Sequence, residues 1–336
     1  MPGSQIIIFT NKDDSHADAV VATLTRWGHP PIRLNTDDLP AQTVFDLAFD
    51  GRAWLGGITL TSNGRGVRVD DVRSVWVRRP LRYPLAPDLT APARRYVAAE
   101  TDHTLGGLWA SLDCYWMSRP AAILAASWKS EQLQRAASMG FAVPRTILTT
   151  DPGVVRAFHA RCAGRVVFKS MVGAAALSGL DDQAGVAQRT YGFPTTLVGD
   201  AELAAADSVR LAPSLFQEYV DKDVELRVTV IGDEVFAAAI DSQADPRTAV
   251  DYRRFDVPVP YRRATLPPDV AERCVAFVHS YGLTFGAIDL IRTPDGSHVF
   301  VENNPVGQFR FVERFVPELP LTDALASCLL RGANSP

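Results

Sequence analysis

Lysine is scarce in this chain of 336 residues: four lysines stand against thirty arginines. A bias in codon usage accounts for arginine wherever a plain surface cation is sufficient. The positions that keep lysine are then candidates for sites that need a compact point charge, because an ammonium and a guanidinium are not interchangeable there. These positions are Lys12, Lys129, Lys169 and Lys222.

Other features are also missing, and each absence argues against a class of protein. No apolar run approaches the length of a transmembrane helix, and the N-terminal residues lack the pattern of a signal peptide. The four cysteines are scattered and form no CxxC pair, which argues against a zinc site or a disulfide framework and predicts a cytoplasmic location. A net charge of −4 provides no broad basic surface for nucleic acid or anionic lipid.

The length predicts two or three packed lobes. Residues 1–118 alternate strand and helix patterns from Gln5–Thr10 onward, which predicts an N-terminal α/β domain. Residues 119–213 are predicted to form a central lobe, and residues 214–336, which are richer in strand patterns, a C-terminal lobe. The expected fold class is therefore α/β, with α+β lobes following the first domain.

Two stretches of small residues interrupt these patterns. Residues 121–127, which follow Pro120, predict a linker between the first two domains. Residues 173–179 are mainly Gly and Ala and have little side-chain surface to bury, so they predict a mobile loop.

The last predicted hairpin contains the strongest chemical signal. Asp289 lies in the middle of an apolar strand, and Glu302 and Asn304 lie two residues apart on the returning strand, so that both point to one face. Two carboxylates and one amide oxygen are the hard oxygen ligands that suit Mg²⁺. The alternative interpretation is a solvated sheet edge with its charges directed outward.

A second group of residues is compatible with a nucleotide. The main-chain groups of Tyr219 and Val220 could pair with an adenine edge, Glu225 could accept from ribose hydroxyls, and Arg227 could face a phosphate or a developing oxyanion. Lys169 ends an apolar strand, where a buried ammonium is unfavourable unless it is paired. Taken alone, these residues favour an ordinary amphipathic hairpin and surface lysines.

The order of these residues in the chain resembles the ATP-grasp superfamily and, within it, the ribosomal peptide maturases of the graspetide or microviridin type. The similar motifs cover nearly the whole chain: Arg33-Leu34-Asn35-Thr36-Asp37, Ser74-Val75-Trp76-Val77-Arg78-Arg79-Pro80, Gln217-Glu218-Tyr219-Val220, Glu225-Leu226-Arg227, Asp241-Ser242-Gln243 and Asn304-Pro305-Val306-Gly307-Gln308. Two positions depart from the family pattern. Tyr252 is the middle residue of the triplet 251–253, where the family often has Trp. Arg310 stands where the family often has an aromatic residue. Both positions bear on which peptide is accepted.

The resemblance implies an ATP-grasp fold in which ATP lies between the central and C-terminal lobes. It assigns Lys129 and Lys169 to the α- and β-phosphates and Glu225 to the ribose. Adenine would be bound by Gln217, Glu218, Tyr219 and Val220. Two Mg²⁺ ions would be held by Asp289, Glu302 and Asn304, with Arg227, Arg253 and Asn304 as the catalytic set.

The implied activity is the ATP-dependent closure of ω-ester or ω-amide rings in a ribosomally made precursor peptide. The family also implies a leader-peptide groove around residues 189–211, a lid formed by residues 173–179 and a homodimer. Arg78 and Arg79 are interface residues, substrate contacts or merely a charged strand end. Two other functions stay open: an ATP-grasp ligase that joins separate molecules or adds amino acids to a protein, and a non-catalytic peptide- or nucleotide-binding protein.

Overall fold

The computed structural model describes residues 5–171, 194–253 and 257–334. The predicted loop at residues 173–179 and residues 189–193 of the predicted leader-peptide region lie outside the described residues. Within the described ranges, no helix is both long enough and apolar enough to cross a membrane.

The first part of the chain forms a parallel sheet with a small antiparallel sheet beside it. Its elements are β1 (Gln5–Thr10), α1 (Ser15–Arg26), β2 (Ile32–Asn35), β3 (Thr43–Phe49), β4 (Trp54–Leu60), β5 (Gly66–Arg68), β6 (Val72–Val77), α2 (Ala91–Ser111) and β7 (Tyr115–Met117). The parallel order is β2-β1-β6-β7, and β3-β4-β5 form the second sheet. Asp14 caps α1, because its carboxylate accepts from the backbone N–H groups of His16 and Ala17.

The central part of the chain contains a four-stranded antiparallel sheet. Its elements are α3 (Pro120–Ala125), α4 (Lys129–Ser138), β8 (Thr146–Thr149), α5 (Pro152–Arg161), β9 (Val166–Lys169), β10 (Thr196–Leu197), α6 (Asp200–Ala204) and β11 (Ser214–Glu218). The strand order is β10-β9-β11-β8. The domain boundaries stay a prediction, but the sheet of this segment continues through Glu218, past the expected division at 213/214.

The predicted linker at residues 121–127 is wrong for most of its length, since α3 occupies Pro120–Ala125. Proline fits the first turn of a helix, where its missing N–H has no partner to lose. The alanines and the leucine that follow are strong helix formers, so a run of small residues is helical here.

The last part of the chain forms a five-stranded antiparallel sheet. Its elements are β12 (Val224–Ile231), β13 (Glu234–Ile240), β14 (Tyr261–Ala264), α7 (Pro268–His279), β15 (Phe285–Arg292), β16 (His298–Asn304), α8 (Arg310–Phe315) and α9 (Leu321–Asn334). The strand order is β14-β13-β12-β15-β16. The sequence patterns did not predict β14 or α8.

One hydrophobic core joins the first and last parts of the chain. Helix α9 packs against α1, β6 and β7 of the N-terminal domain. Leu325 and Leu329 of α9 are fully buried in one cluster with Ile8 of β1 and Phe309 near the end of the last sheet. This packing places the turn that follows β16 against the carboxyl end of β6, which has consequences for the site described next.

Candidate active site

Antiparallel pairing brings the three predicted metal ligands together on one face of the C-terminal sheet. Asp289 in β15 lies opposite Glu302 in β16, and Asn304 lies opposite Ala287. The amide Nδ2 of Asn304 donates to Oε1 of Glu302 at 3.3 Å. The side chains of Asp289 and Glu302 are 22% and 16% exposed. These carboxylates are therefore largely enclosed, unlike charges on a solvated sheet edge.

The ionisation of the two carboxylates favours a bound cation between them. Burial opposes the ionisation of Glu302, but Lys129 and Lys169 outweigh it and lower the pKa of Glu302 to about 2. Burial raises the pKa of Asp289; the charge of Arg227 lowers it, and the charge of Glu302 raises it further. A divalent cation would relieve this repulsion, and two carboxylates with an amide oxygen fit Mg²⁺.

The third donor must come from outside the acidic residues. Within the described ranges, no group of three His, Cys, Asp or Glu side chains is close enough to hold a metal ion. The amide oxygen of Asn304, together with phosphate oxygens of a nucleotide, would complete the set, as is usual for Mg²⁺.

Arg227 in β12 lies directly opposite Asp289. Its Nη1 donates to Oδ1 of Asp289 at 2.8 Å, and its Nη2 donates to the carbonyl oxygen of Gln308 at 3.0 Å. Arg227 is 5% exposed. The guanidinium therefore fixes the carboxylate of Asp289 and supplies a positive charge next to the predicted metal site.

Three of the four lysines surround the same region. Nζ of Lys129, at the start of α4, donates to the carbonyl oxygen of Ser170 at 2.8 Å and lies 2.9 Å from Oε2 of Glu302. Burial lowers the pKa of Lys169 to about 8, Glu302 opposes this, and the charges of Lys129 and Lys222 add to it. Nζ of Lys222 donates to Oε1 of Glu225 at 2.9 Å. The structure thus brings the predicted phosphate and ribose ligands together.

Strand β11 separates the predicted adenine ligands by face. Because Leu215 pairs with Lys169, Gln217 lies on the same face as Lys169 and Glu218 on the opposite one. The carboxylate of Glu218 forms a two-pronged pair with Arg145 at 2.7 and 2.8 Å. The N–H of Glu218 donates to the carbonyl oxygen of Arg145 at 2.9 Å, so only the main-chain carbonyl of Glu218 remains a candidate for the adenine edge.

The main-chain N–H of the next residue, Tyr219, also has a hydrogen-bond partner within the protein. The N–H of Tyr219 donates to the carbonyl oxygen of Arg165 at 3.0 Å. A cavity of about 580 Å³ lies beside this connection and is lined by Tyr219, Val220 and the turn at residues 293–297, among others. Among the described residues, its lining includes neither the lysines nor the metal-ligand candidates.

The segment around Tyr252 contributes residues that sequence reasoning assigned only in part. The carboxylate of Asp251 accepts from the N–H of Thr195 at 2.9 Å and pairs with Arg253 at 2.7 Å. Burial raises the pKa of Tyr252 well above 10, and the charge of Asp289 adds to this, so Tyr252 stays a neutral phenol close to the metal-ligand candidates. The departure from the family triplet was the sequence signal for this residue.

Comparison with known proteins agrees with this geometry. Residues 5–123 match the MvdD pre-ATP-grasp domain family. The whole chain is similar to the macrocyclase MdnC of Microcystis aeruginosa MRC, solved with the precursor peptide MdnA, at 28% identity and a TM-score of 0.83, covering 97% of this chain and 99% of that one. The chain therefore has the ATP-grasp fold and is similar to ATP-grasp peptide maturases over nearly its whole length. The fold class predicted from the sequence is therefore confirmed.

Two further maturase structures support this placement. The macrocyclase MdnB of the same organism is 29% identical, with a TM-score of 0.77 over 97% of this chain and 99% of that one. A RiPP-associated ATP-grasp ligase of Chryseobacterium gregarium, solved with ADP and a leader and core peptide, is 25% identical, with a TM-score of 0.84 over 99% and 97%. No curated protein matches the chain.

The lowered pKa of Lys169 predicts how nucleotide binding by this protein depends on pH. Below pH 8 the ammonium is charged and pairs with phosphate, which raises its pKa in the complex. Above about pH 8 the free protein loses this proton, so binding must take it up again and the affinity falls with increasing pH. Calorimetric titration with ADP from pH 7 to 9.5 should show this fall, and the variant Lys169→Met should not.

The lowered pKa of Lys169 also makes the stability of the folded protein depend on pH. Because burial lowers the folded-state pKa of Lys169 below the usual value of 10.5 to about 8, the unfolded chain binds more protons between these two values. The contribution of Lys169 to the free energy of unfolding therefore increases as the pH rises from about 8 to 10.5. The free energy of unfolding is measured for the wild type and for Lys169→Met across this pH range. If the difference between them does not change with pH, the lowered pKa of Lys169 is wrong.

Proposed function

We propose that this maturase uses ATP to activate Asp or Glu side chains of a ribosomally made precursor peptide and then closes them into rings. A substrate carboxylate oxygen attacks the γ-phosphorus, the bond to ADP breaks, and an acyl phosphate forms. A Ser or Thr hydroxyl or a Lys amine of the same peptide then attacks the acyl carbon. Phosphate leaves, the attacking group loses its proton, and an ω-ester or ω-amide ring is formed.

The observation that carries this proposal is the combination of Asp289, Glu302 and Asn304 on one sheet face with Lys129 and Arg227 in direct contact. The similarity of this chain to MdnC over nearly its whole length also supports the proposal. Two bound Mg²⁺ ions, held by the three oxygen ligands, would neutralise charge on the transferring phosphoryl group.

The other residues have roles in binding and positioning. Lys129 and Lys169 bind the α- and β-phosphates. Glu225, held by Lys222, accepts from the ribose hydroxyls, while Gln217 and the main chain of residues 218–220 line the adenine. Arg227 and Arg253 offset charge on the phosphoryl group or on the tetrahedral oxyanion. The protein thus acts through orientation and charge and supplies no covalent nucleophile.

The direct test is a mass spectrum of the product. We expect the cognate precursor peptide, incubated with the protein and Mg·ATP, to lose the mass of one water molecule for each ring. ADP should be released in equal amount, and fragmentation of the product identifies ester or amide bonds. ADP release without dehydration of any candidate peptide, but with coupling of two separate molecules, would favour the alternative ligase function.

Three further expectations accompany the proposal. We infer a homodimer in the cytoplasm, with the leader peptide bound along residues 189–211; part of this region is α6 (Asp200–Ala204). The support is the resemblance to peptide maturases. Light scattering of the purified protein measures the oligomeric state, and hydrogen exchange with and without the leader peptide locates the groove.

A further inference from the structure

Arg78 links the N-terminal domain to the predicted metal site. It follows β6 and is 2% exposed. Its backbone N–H donates to the carbonyl oxygen of Phe9 at 2.9 Å, which fixes it at the carboxyl end of the parallel sheet. Its side-chain Nη1 donates to the carbonyl oxygen of Val306, 228 residues further along the chain. Arg78 therefore contacts the turn that follows β16.

This turn, residues 304–308, begins with the predicted metal ligand Asn304; we call it the signature turn. The N–H of Gly307 donates to the carbonyl oxygen of Asn304 at 3.0 Å, which closes the turn. Arg227 holds its far end through the carbonyl oxygen of Gln308. A Cβ on Gly307 would lie 2.4 Å from Cβ of Ala287 and 2.8 Å from Nη2 of Arg227, so only glycine allows this close packing.

The residue before the signature turn is held from another direction. Nε2 of Gln132 in α4 donates to the carbonyl oxygen of Asn303 at 2.9 Å, and the N–H of Asn303 donates to Oε1 of Gln132 at 2.8 Å. Arg78, Gln132 and Arg227 belong to the N-terminal, central and C-terminal parts of the chain. The backbone around Asn304 is thus held by side chains from all three.

The environment of Arg78 is unfavourable for a residue that serves stability alone. Burial lowers its pKa to about 10, Asp14 opposes this, and Arg79 and Arg227 add to it, so the guanidinium stays charged at neutral pH. Its Nε and Nη2 have no hydrogen-bond partner within the described ranges. An apolar side chain of similar size would avoid this desolvation. In return, its Nη1 donates a hydrogen bond to the carbonyl oxygen of Val306.

We propose that Arg78 is a positioning residue that holds the signature turn from the N-terminal domain, so that Asn304 faces Asp289 and Glu302. This inference rests on the proposed function, because it takes Asn304 as a ligand of the bound metal. It makes the N-terminal domain part of the catalytic unit. Arg78 itself does not touch ATP or the peptide.

The test compares metal binding in Arg78→Met with that of the wild type. Mg²⁺ is titrated by calorimetry into protein saturated with a non-hydrolysable ATP analogue. We expect the Mg²⁺ dissociation constant to rise about 10- to 100-fold, as for other residues that orient metal ligands. The kcat for ADP formation should fall by a similar factor, whereas the KM for the precursor peptide should stay unchanged. Arg78→Lys should recover part of the loss, since an ammonium can still donate to one carbonyl oxygen.

Arg73→Met is the matched control. Arg73 lies within β6, the strand that Arg78 follows. It is exposed, and its Nη1 also donates to backbone carbonyl oxygens, those of Asp70 and Val72. The Arg73→Met variant removes the same charge as Arg78→Met and should bind Mg²⁺ with the wild-type dissociation constant. Wild-type Mg²⁺ affinity and kcat in Arg78→Met would overturn the inference.

Two variants keep the inference testable if Arg78→Met does not fold. Arg78→Lys preserves the charge, and Gly307→Ala displaces the signature turn from its other side. Wild-type Mg²⁺ affinity in both folded variants would contradict the role of the turn. Because the titration does not depend on ring formation, a wild-type protein that binds Mg²⁺ and the ATP analogue but modifies no peptide would overturn the proposed function and leave this test intact.

Discussion

Replacing Asp289 by Asn is expected to reduce ring formation about a thousandfold, since metal-assisted charge neutralisation in phosphoryl transfer is worth several kcal/mol. In the wild type, Nη1 of Arg227 donates to Oδ1 of Asp289 at 2.8 Å. The amide of Asn has the same size and can still accept this hydrogen bond. It lacks the charge that a divalent cation requires. Product formation is measured by mass spectrometry, and folding is checked by the thermal unfolding temperature.

The control for this variant is Asp233→Asn. Asp233 lies in the turn between β12 and β13, and its side chain is 92% exposed. The Asp233→Asn variant makes the same chemical change in the same lobe but away from the site, and it should retain full activity. An Asp289→Asn variant that forms rings at the wild-type rate would show that the metal-ligand assignment is wrong.

Replacing Lys169 by Arg is expected to reduce kcat/KM for ATP about 100-fold, because a displacement of a positioning group by 1 Å is enough for such an effect. Lys169 ends β9, opposite Leu215, on the face that the predicted ligands share. A guanidinium keeps the positive charge, but it is bulkier and directs its donors in a fixed plane. The rate of ADP formation at varied ATP concentration measures the effect.

Lys12→Arg is the matched control, because Lys12 lies outside the predicted nucleotide site. Its Nζ pairs with Oδ1 of Asp38 at 2.6 Å, and its side chain is 51% exposed. The activity of this variant should equal that of the wild type. Lys129→Arg should behave like Lys169→Arg, since Nζ of Lys129 contacts Glu302. Wild-type turnover in both would mean that the positions of the rare lysines are a matter of chance.

The alternation of side chains along a strand explains why much of the site could be predicted. Glu302 and Asn304 are two residues apart, and this spacing is sufficient to place them on one face of any strand. The position of Asp289 in an apolar run then made it the natural partner across the hairpin. The same rule, applied once the register of β11 is known, places Glu218 on the face opposite Lys169; the sequence does not contain that register.

The scarcity of lysine also contributed to the prediction. Lys129, Lys169 and Lys222 do lie around Glu302 and Glu225, as their persistence among arginines indicated. Local composition was less reliable at residues 121–127, where small side chains suggested a linker and α3 forms instead. The same small residues are compatible with either structure, so packing decided between them.

The sequence by itself determined many of the elements, the faces of the strands and the family resemblance, because these depend on local spacing and on the order of motifs. Only the tertiary structure decided which distant segments meet. Helix α9 returns to the first sheet and shares its core, and this brings Val306 to Arg78. No local pattern encodes a contact between residues so far apart. It follows from how the lobes bury their apolar faces against one another, and it leaves a charged side chain of the first domain supporting a turn of the last.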